Sequence, residues 1–581
     1  MSTGGLLAEL KRRRVFRVLL GYGLFSFAVL QVIEPVLHAY HLPDWTLTAA
    51  VTALAIGFPV ATILSWVFDL TAEGVVRTPE TPGQRPAGRI VALALGVGLL
   101  AALPPLGWYA WRQAGAPKGT AEGGPLDASI AVLPFSDFSP EHDQEYFSDG
   151  IAEEILNALA QVDGLRVTGR TSSFAFKGKA QDLRAIGASL GVATVLEGSV
   201  RKAGSRLRIT AQLVKTADGF HLWSQTFDRE LADVFAVQEE ISAAVVAALR
   251  VKLLPGKGTT ARGVTTVKEA HDHYLLGRDL ARTFEEERSR RALAEFERAV
   301  ALDPNYALAW AGIANALRYL EGFAPNGQSS EAQRRRALEA AERAVALGPD
   351  LPDGYVARAR IRRGFLLDWA GARSDLERAR LLGPSDAFAA WASGQLLMTY
   401  GELPAALAEL KRAVELDPLS VQAWTTLGQV QLSAGDHRGG RVSLARALEI
   451  APLQDESHYY LFASLLVTGQ AAEALEAAQS TKATWIRYLG LAMAEHDLGH
   501  ARESRKALEA LIAADGNDAA YQVAEAYAWR GEKEKAFEWL ERARVQADTG
   551  LGWIKVDPLL AKLRGDPRFP VLLQKLKLPV E

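Results

Sequence analysis

A chain of 581 residues is longer than one hydrophobic core serves, so several structural units are expected. Its 65 Lys and Arg against 68 Asp and Glu leave a formal net charge of -3, which offers no bulk attraction to nucleic acid, and no nucleic-acid partner is expected. The absence of cysteine excludes disulfides, thiolate nucleophiles and cysteine-ligated zinc.

Residues 15–36, 46–68 and 90–111 are apolar runs, each long enough to cover roughly 30 Å as a helix, and they predict three transmembrane helices within residues 1–112. Lys11 to Arg14 and Arg17 sit at the start of the first run, the loop His38 to Trp45 carries no Lys or Arg, and Arg77, Arg85 and Arg89 fall in the second loop. Because cations are retained on the cytoplasmic side, this order predicts a bacterial inner-membrane protein with a cytoplasmic N-terminus and a periplasmic soluble region. Glu34, before Pro35, reads first as a carboxylate reaching the headgroups and second as a sensing or packing residue.

Residues 113–127, rich in Gly, Pro and Ala, predict a flexible linker. Residues 128–255 predict an α/β domain. Strand patterns lie at Ser129 to Phe135, Leu165 to Gly169, Ala193 to Arg201, Arg206 to Val214 and His221 to Phe227, and helical periodicity at Glu145 to Val162, Asp182 to Leu190 and Ala232 to Leu253. Ser148 or Asp149 is the expected cap of the first of these helices. The runs IAVLPF, YFSDGIAEEILNAL, GLRVTGRTSSFAFKGK, LEGSVRKAGSRLRITAQLV and HLWSQTFDREL resemble the TolB amino-terminal-like domain, which is similar to the flagellar outer-membrane assembly family. That resemblance implies a non-catalytic, envelope-associated module, commonly followed by TPR repeats and in other chains joined to class III nucleotide cyclase or winged-helix domains, neither of which is seen here. Asp143, Asp149, Glu153 and Glu154 form no convincing acid/base pair, and the two at the helix start, Asp149 and Glu153, suit its dipole. Thr171, Ser172, Ser173 and Lys177 match no serine-hydrolase motif.

After a linker at residues 256–268, the prolines Pro304, Pro349, Pro384, Pro418 and Pro452 recur in LDP-like turns at steps of 45, 35, 34 and 34 residues. Ahead of the first four stand Ala292, Phe296, Ala299; Ala337, Ala341, Ala344; Ala372, Leu376, Ala379; and Ala406, Leu410, Ala413. These resemble TPR repeats and predict a helical array over residues 269–545, with an insertion at Glu321 to Ser330 and a capping segment at 546–581. The concave groove of such an array binds protein segments, and counting from the anchors places Arg360, Arg363, Trp391, Gln395, Thr425 and Gln429 there. The alternative for the Arg358 to Arg363 run is a solvated helix face. His271 and His273 have no third metal ligand and read as surface histidines.

The expected fold class is multidomain: an α-helical membrane segment, an α/β TolB amino-terminal-like domain and an all-α TPR solenoid. The expected function is a membrane-anchored protein-binding scaffold or sensor, integral to the membrane, that recruits envelope proteins or peptide segments. It is not expected to be an enzyme and needs no cofactor or metal. The alternative is a transmembrane signalling subunit coupled to a separate cytoplasmic enzyme such as a nucleotide cyclase.

Overall fold

The computed structural model describes residues 128–141, 144–179, 182–204, 206–230, 234–249, 263–281, 285–321, 331–516, 518–546 and 548–580, together with residues 22, 26, 29, 68–71 and 74–77. The chain divides into two compact units, Met1–Gly124 and Pro125–Glu581.

In the first unit, Tyr22, Ser26 and Val29 are helical, and β1 (Phe68–Thr71) pairs antiparallel with β2 (Gly74–Arg77), Phe68 facing Arg77 and Thr71 facing Gly74. This corrects the expected fold class. No helix among the described residues is long and apolar enough to cross a membrane. The longest described helices have 17 residues, about 25 Å against the roughly 30 Å of a hydrocarbon core, and they are amphipathic. Phe68, the expected end of the second span, is instead a strand residue. The other residues of the three expected spans, Glu34 among them, and the 113–127 linker lie outside the described residues. The described architecture is mostly helical, with a small sheet domain and a helical repeat region.

The sheet domain opens the second unit. Its elements are β3 (Ser129–Val132), β4 (Ser136–Asp137), α1 (Glu145–Ala160), β5 (Arg166–Val167), α2 (Arg170–Phe174), α3 (Leu183–Leu190), β6 (Thr194–Ala203), β7 (Arg206–Lys215), β8 (His221–Glu230) and α4 (Val234–Ala248). The strand order is β5-β3-β6-β7-β8, with β4 also on β6; β3 runs parallel to β5 and β6, and β6, β7 and β8 form an antiparallel meander. Strand β7 alternates, burying Leu207, Ile209, Ala211 and Leu213, because one face of the sheet is packed under α1 and α4 through Ile151, Ile155, Ile241 and Val245. The short β3 is buried along its whole length, since α3 covers its second face with Ile186 and Leu190. Edge strand β8 buries only Phe227.

Sixteen described helices follow, pairing in chain order: α5 (Lys268–Leu280) with α6 (Glu286–Leu302), α7 (Ala307–Leu320) with α8 (Glu331–Leu347), α9 (Pro352–Ile361) with α10 (Trp369–Leu382), α11 (Ala387–Tyr400) with α12 (Leu403–Leu416), α13 (Val421–Ser433) with α14 (His437–Ile450), α15 (Asp455–Val467) with α16 (Ala471–Ser480), α17 (Thr484–Asp497) with α18 (Ala501–Asp515), and α19 (Ala520–Trp529) with α20 (Lys533–Gln546). The repeated small and large residues act as packing pieces. Ala406, Leu410 and Ala413 are fully buried, and a Cβ added at Gly428 would stand 2.7 Å from Leu444, so only glycine lets α13 lie this close to α14. A π-turn at Arg362–Leu366, closed by Leu367 at φ 49°, interrupts the third pair.

Residues 548–580 do more than cover the end of the array. They comprise two 3-10 turns, Thr549–Gly552 and Pro558–Leu563, and α21 (Arg568–Lys575). Trp553 is nearly buried, its indole Nε1 donating to Ser433 Oγ at 2.9 Å and its ring standing edge-on to Tyr460 at 5.1 Å. Trp369 Nε1 in turn donates to the Leu576 carbonyl at 2.7 Å, so the segment reaches back to the third pair.

Candidate functional site

The sheet domain is docked on the array by groups that sequence alone assigned elsewhere. Asp149 caps nothing: α1 starts at Glu145 behind Gln144, and the buried Asp149 carboxylate accepts from Lys177 Nζ at 2.8 Å. One turn on, Glu153 pairs with Arg170 at 2.6 Å and also with Arg278 of α5, while Glu154 meets His271 Nε2 at 2.6 Å and accepts from Gln238. His271 is therefore buried, contrary to the surface reading, and His273 bonds Glu295 at 2.6 Å. Asp143 lies outside the described residues. Ser172 serves the same contact: its backbone N–H donates to Asp417 Oδ1 at 2.7 Å, its hydroxyl donates to the same carboxylate, and its Oγ accepts from Leu419 N–H at 2.7 Å. Burial pushes the Asp417 carboxyl up, against the pull of the Ser172 hydrogen bonds. Gly169 N–H donates to the Leu416 carbonyl at 2.6 Å, and a Cβ at this position would fall 2.6 Å from Asp417 Cβ. Ser385 completes the seam, its hydroxyl donating to the Leu165 carbonyl at 2.7 Å.

Between this seam and the leading helices of the array lies a cavity of about 400 Å³. The sheet domain contributes Glu153, Asn157, Arg170 and Thr171; the array contributes Arg278, Asn315, Tyr319, Asp353, Arg360, Asp386, Phe388 and Trp391. Asp353 sits in the first turn of α9, and Asp386 caps α11, accepting from the N–H groups of Phe388 and Ala389 at 2.9 and 3.0 Å. Burial holds both carboxyls above the usual range, Asp386 at about 6, and Asp353 raises Asp386 further by like charge.

The six groove residues divide sharply. Arg360 and Trp391 line this cavity. Arg360 Nη1 donates to Asn315 Oδ1 at 2.7 Å, and its guanidinium lies 5.0 Å from the Tyr319 ring and 5.2 Å from that of Phe388. Trp391 donates to Thr426 Oγ1 at 3.0 Å. The other four do not line it and are held by neighbouring parts of the chain. Arg363 donates to Gln395 Oε1 at 3.0 Å and abuts Gly552 of the returning segment; desolvation, then repulsion from Arg318 and Arg360, pushes it down to about 10. Thr425 bonds Ser457 at 2.7 Å, and Gln429 is buried. The π-turn accounts for Arg363, which lies within it, because its i to i+5 step turns a position counted at a 3.6-residue period away from the expected face. Of the remaining arginines in the run, Arg358 and Arg362 both pair with the buried Asp375, at 2.6 and 2.9 Å. The solvated-face alternative therefore fails for them.

Two family matches fall on these parts. Residues 126–244 match the HilA/YgeH-like transcriptional regulator, second domain, and residues 357–496 match the bacterial transcriptional activator domain. The first lies where a TolB amino-terminal-like domain is expected from the sequence, and neither match supports that finer assignment. A curated protein of Rhizobium meliloti (strain 1021), called "Putative adenylate cyclase 3", is 44% identical over 190 residues, which is 32% of this chain and 32% of that protein. The match thus spans about a third of the relative's length. Among solved structures, the thermophilic TPR protein TTC0263 of Thermus thermophilus is 25% identical, covering 34% of this chain and 99% of that one at a TM-score of 0.29. YrrB, a TPR protein with an unusual peptide-binding site, is 22% identical, covering 32% and 88% at a TM-score of 0.23. The array is of TPR type, and part of it is similar to the bacterial transcriptional activator domain. The expected inner-membrane location with a periplasmic soluble region, and with it the membrane-integral assignment, does not stand: no described helix is long and apolar enough to cross a membrane, and both matched domains are those of transcriptional regulators.

Proposed function

We propose that this chain is a non-catalytic, protein-binding scaffold of the regulator type, in which the sheet domain and the TPR-type array act together and a partner's segment enters the cavity between them. The observation that carries this reading is the fate of the six expected groove residues. All six are held within the chain, but Arg360 and Trp391 also line the wall of a cavity to which both domains contribute, and the other four do not. Cavities of ~300–1,000 Å³ with aromatic walls and a few convergent polar groups are the usual shape of a recognition site. The adenylate cyclase name of the Rhizobium meliloti relative is not carried over, since two thirds of that protein lie beyond the match.

Crosslinking capture from cell extract tests the reading. Arg360→Ala combined with Trp391→Ala is expected to strip specific partners from the captured set, while Gln429→Ala, at an internal position, leaves the set unchanged. An unchanged set for the Arg360 and Trp391 variant sinks the assignment.

A further inference from the structure

The wall of the junction cavity is charged in an unusual way. Asp353 and Asp386 stand in the first turn and at the cap of successive leading helices and line the same cavity; neither is in an ion pair among the described residues, although the Arg278 guanidinium in that lining draws Asp353 part of the way down. Arg360, on the same wall, has no carboxylate partner among the described residues; it is held by one neutral hydrogen bond and two aromatic rings. Two half-buried acids on one wall, with only the Arg278 guanidinium acting on one of them, favour a further cation, and a guanidinium held by a neutral partner invites a carboxylate. Phe388 and Trp391, with ring centroids 5.1 Å apart, supply an apolar floor beside these charges.

The adjacent stretch of the array already holds a segment of the chain itself. Arg363, within a turn of Arg360, abuts Gly552, and the segment that follows presents Trp553, Lys555 and Asp557 to the leading helices. An aromatic group, a cation and an acid thus occur within five residues of chain seated on the same surface.

We infer that the cavity takes an amphoteric peptide segment, with a Lys or Arg side chain between Asp353 and Asp386, an Asp or Glu side chain on Arg360, and an apolar side chain against Phe388 and Trp391. This rests on the reading of the cavity as the partner site. Because Arg170, Thr171 and Glu153 form the opposite wall, the segment touches both domains at once.

The test is selection of a random-peptide display library on the full chain, followed by fluorescence anisotropy of the enriched peptides. Enriched sequences should carry a basic residue a few positions from an acidic one. Arg360→Gln and Asp386→Asn, the latter keeping a capping side chain, should each weaken binding roughly tenfold to a hundredfold, and thermal melting of each variant establishes that it is folded. Arg360→Glu should come to prefer peptides whose acid is replaced by lysine. Enriched peptides without this charge pattern, or affinities that stay within twofold in both variants, overturn the inference. If those patternless peptides still compete with captured partners, the scaffold reading survives; if no peptide is enriched at all, both fall.

Discussion

Four side chains far apart in sequence meet where the returning segment joins the array. Glu525 of α19 accepts from Tyr459 at 2.6 Å, Asp557 accepts from Tyr521 at 2.8 Å, and the two fully buried carboxyls are neighbours. Burial raises both, Glu525 well above its ordinary value and Asp557 to about 6. The charge of Asp557 lifts Glu525 further, whereas hydrogen bonds from Glu525 and Tyr521 draw Asp557 part of the way back. A carboxyl raised in this way binds its proton more tightly folded than unfolded. Its contribution to stability is complete below the unfolded value of ~4 and is lost as pH rises through about 6. Urea midpoints measured from pH 4 to pH 8 are therefore expected to fall across that window, and Asp557→Asn, which cannot ionise, should flatten the fall while Leu559 N–H keeps its cap acceptor. Equal slopes for wild type and variant would show that the carboxyl does not titrate with unfolding.

At the level of elements, the returning segment is tied to the array through one large side chain. Trp553→Ala removes the indole from Tyr459, Tyr460 and Ser433 together and is expected to cost about 3–5 kcal/mol in chemical unfolding. A loss below about 1 kcal/mol would mean the segment rests lightly on the array. This element also marks the limit of what the sequence revealed. The 34-residue step and its alanines are local and periodic, so the helix pairs were legible, as were the strand patterns of β3 and β5 to β8. The path of residues 548–557 was not, because Trp553 and Ser433 are separated by 120 positions and nothing in the repeat announces their contact. Asp149, Glu153, Glu154 and Ser172 were noticed as polar groups, but for the last three the partners Arg278, His271 and Asp417 lie in another domain, so a docking role could not be read from spacing. The apolar run ending at Phe68 shows the reverse failure: hydropathy registers how greasy a stretch is and is blind to whether its end pairs as a strand.

At the scale of the second unit, the sheet domain and the first repeats share one hydrophobic cluster, running from Ile130 and Val132 through Ile151 and Ile155 to Tyr274, Leu275 and Phe296. Helix α1 is thus covered by the sheet on one side and by α5 on the other, with a Cβ at Gly150 falling only 2.6 Å from Leu275. Cutting the chain after α4 would expose that second side and leave Glu153 and Glu154 without Arg278 and His271. Loss of several kilocalories of burial, of the Glu153–Arg278 ion pair and of the Glu154–His271 hydrogen bond predicts that a fragment of residues 125–253 melts about 10 °C or more below a fragment of residues 125–302, which retains α5 and α6. The comparison isolates the contact of α1 with α5, because both fragments contain the whole sheet. Coincident melting curves would make the sheet domain an independent folding unit, and the cavity at its junction with the array would then lie between two bodies free to part.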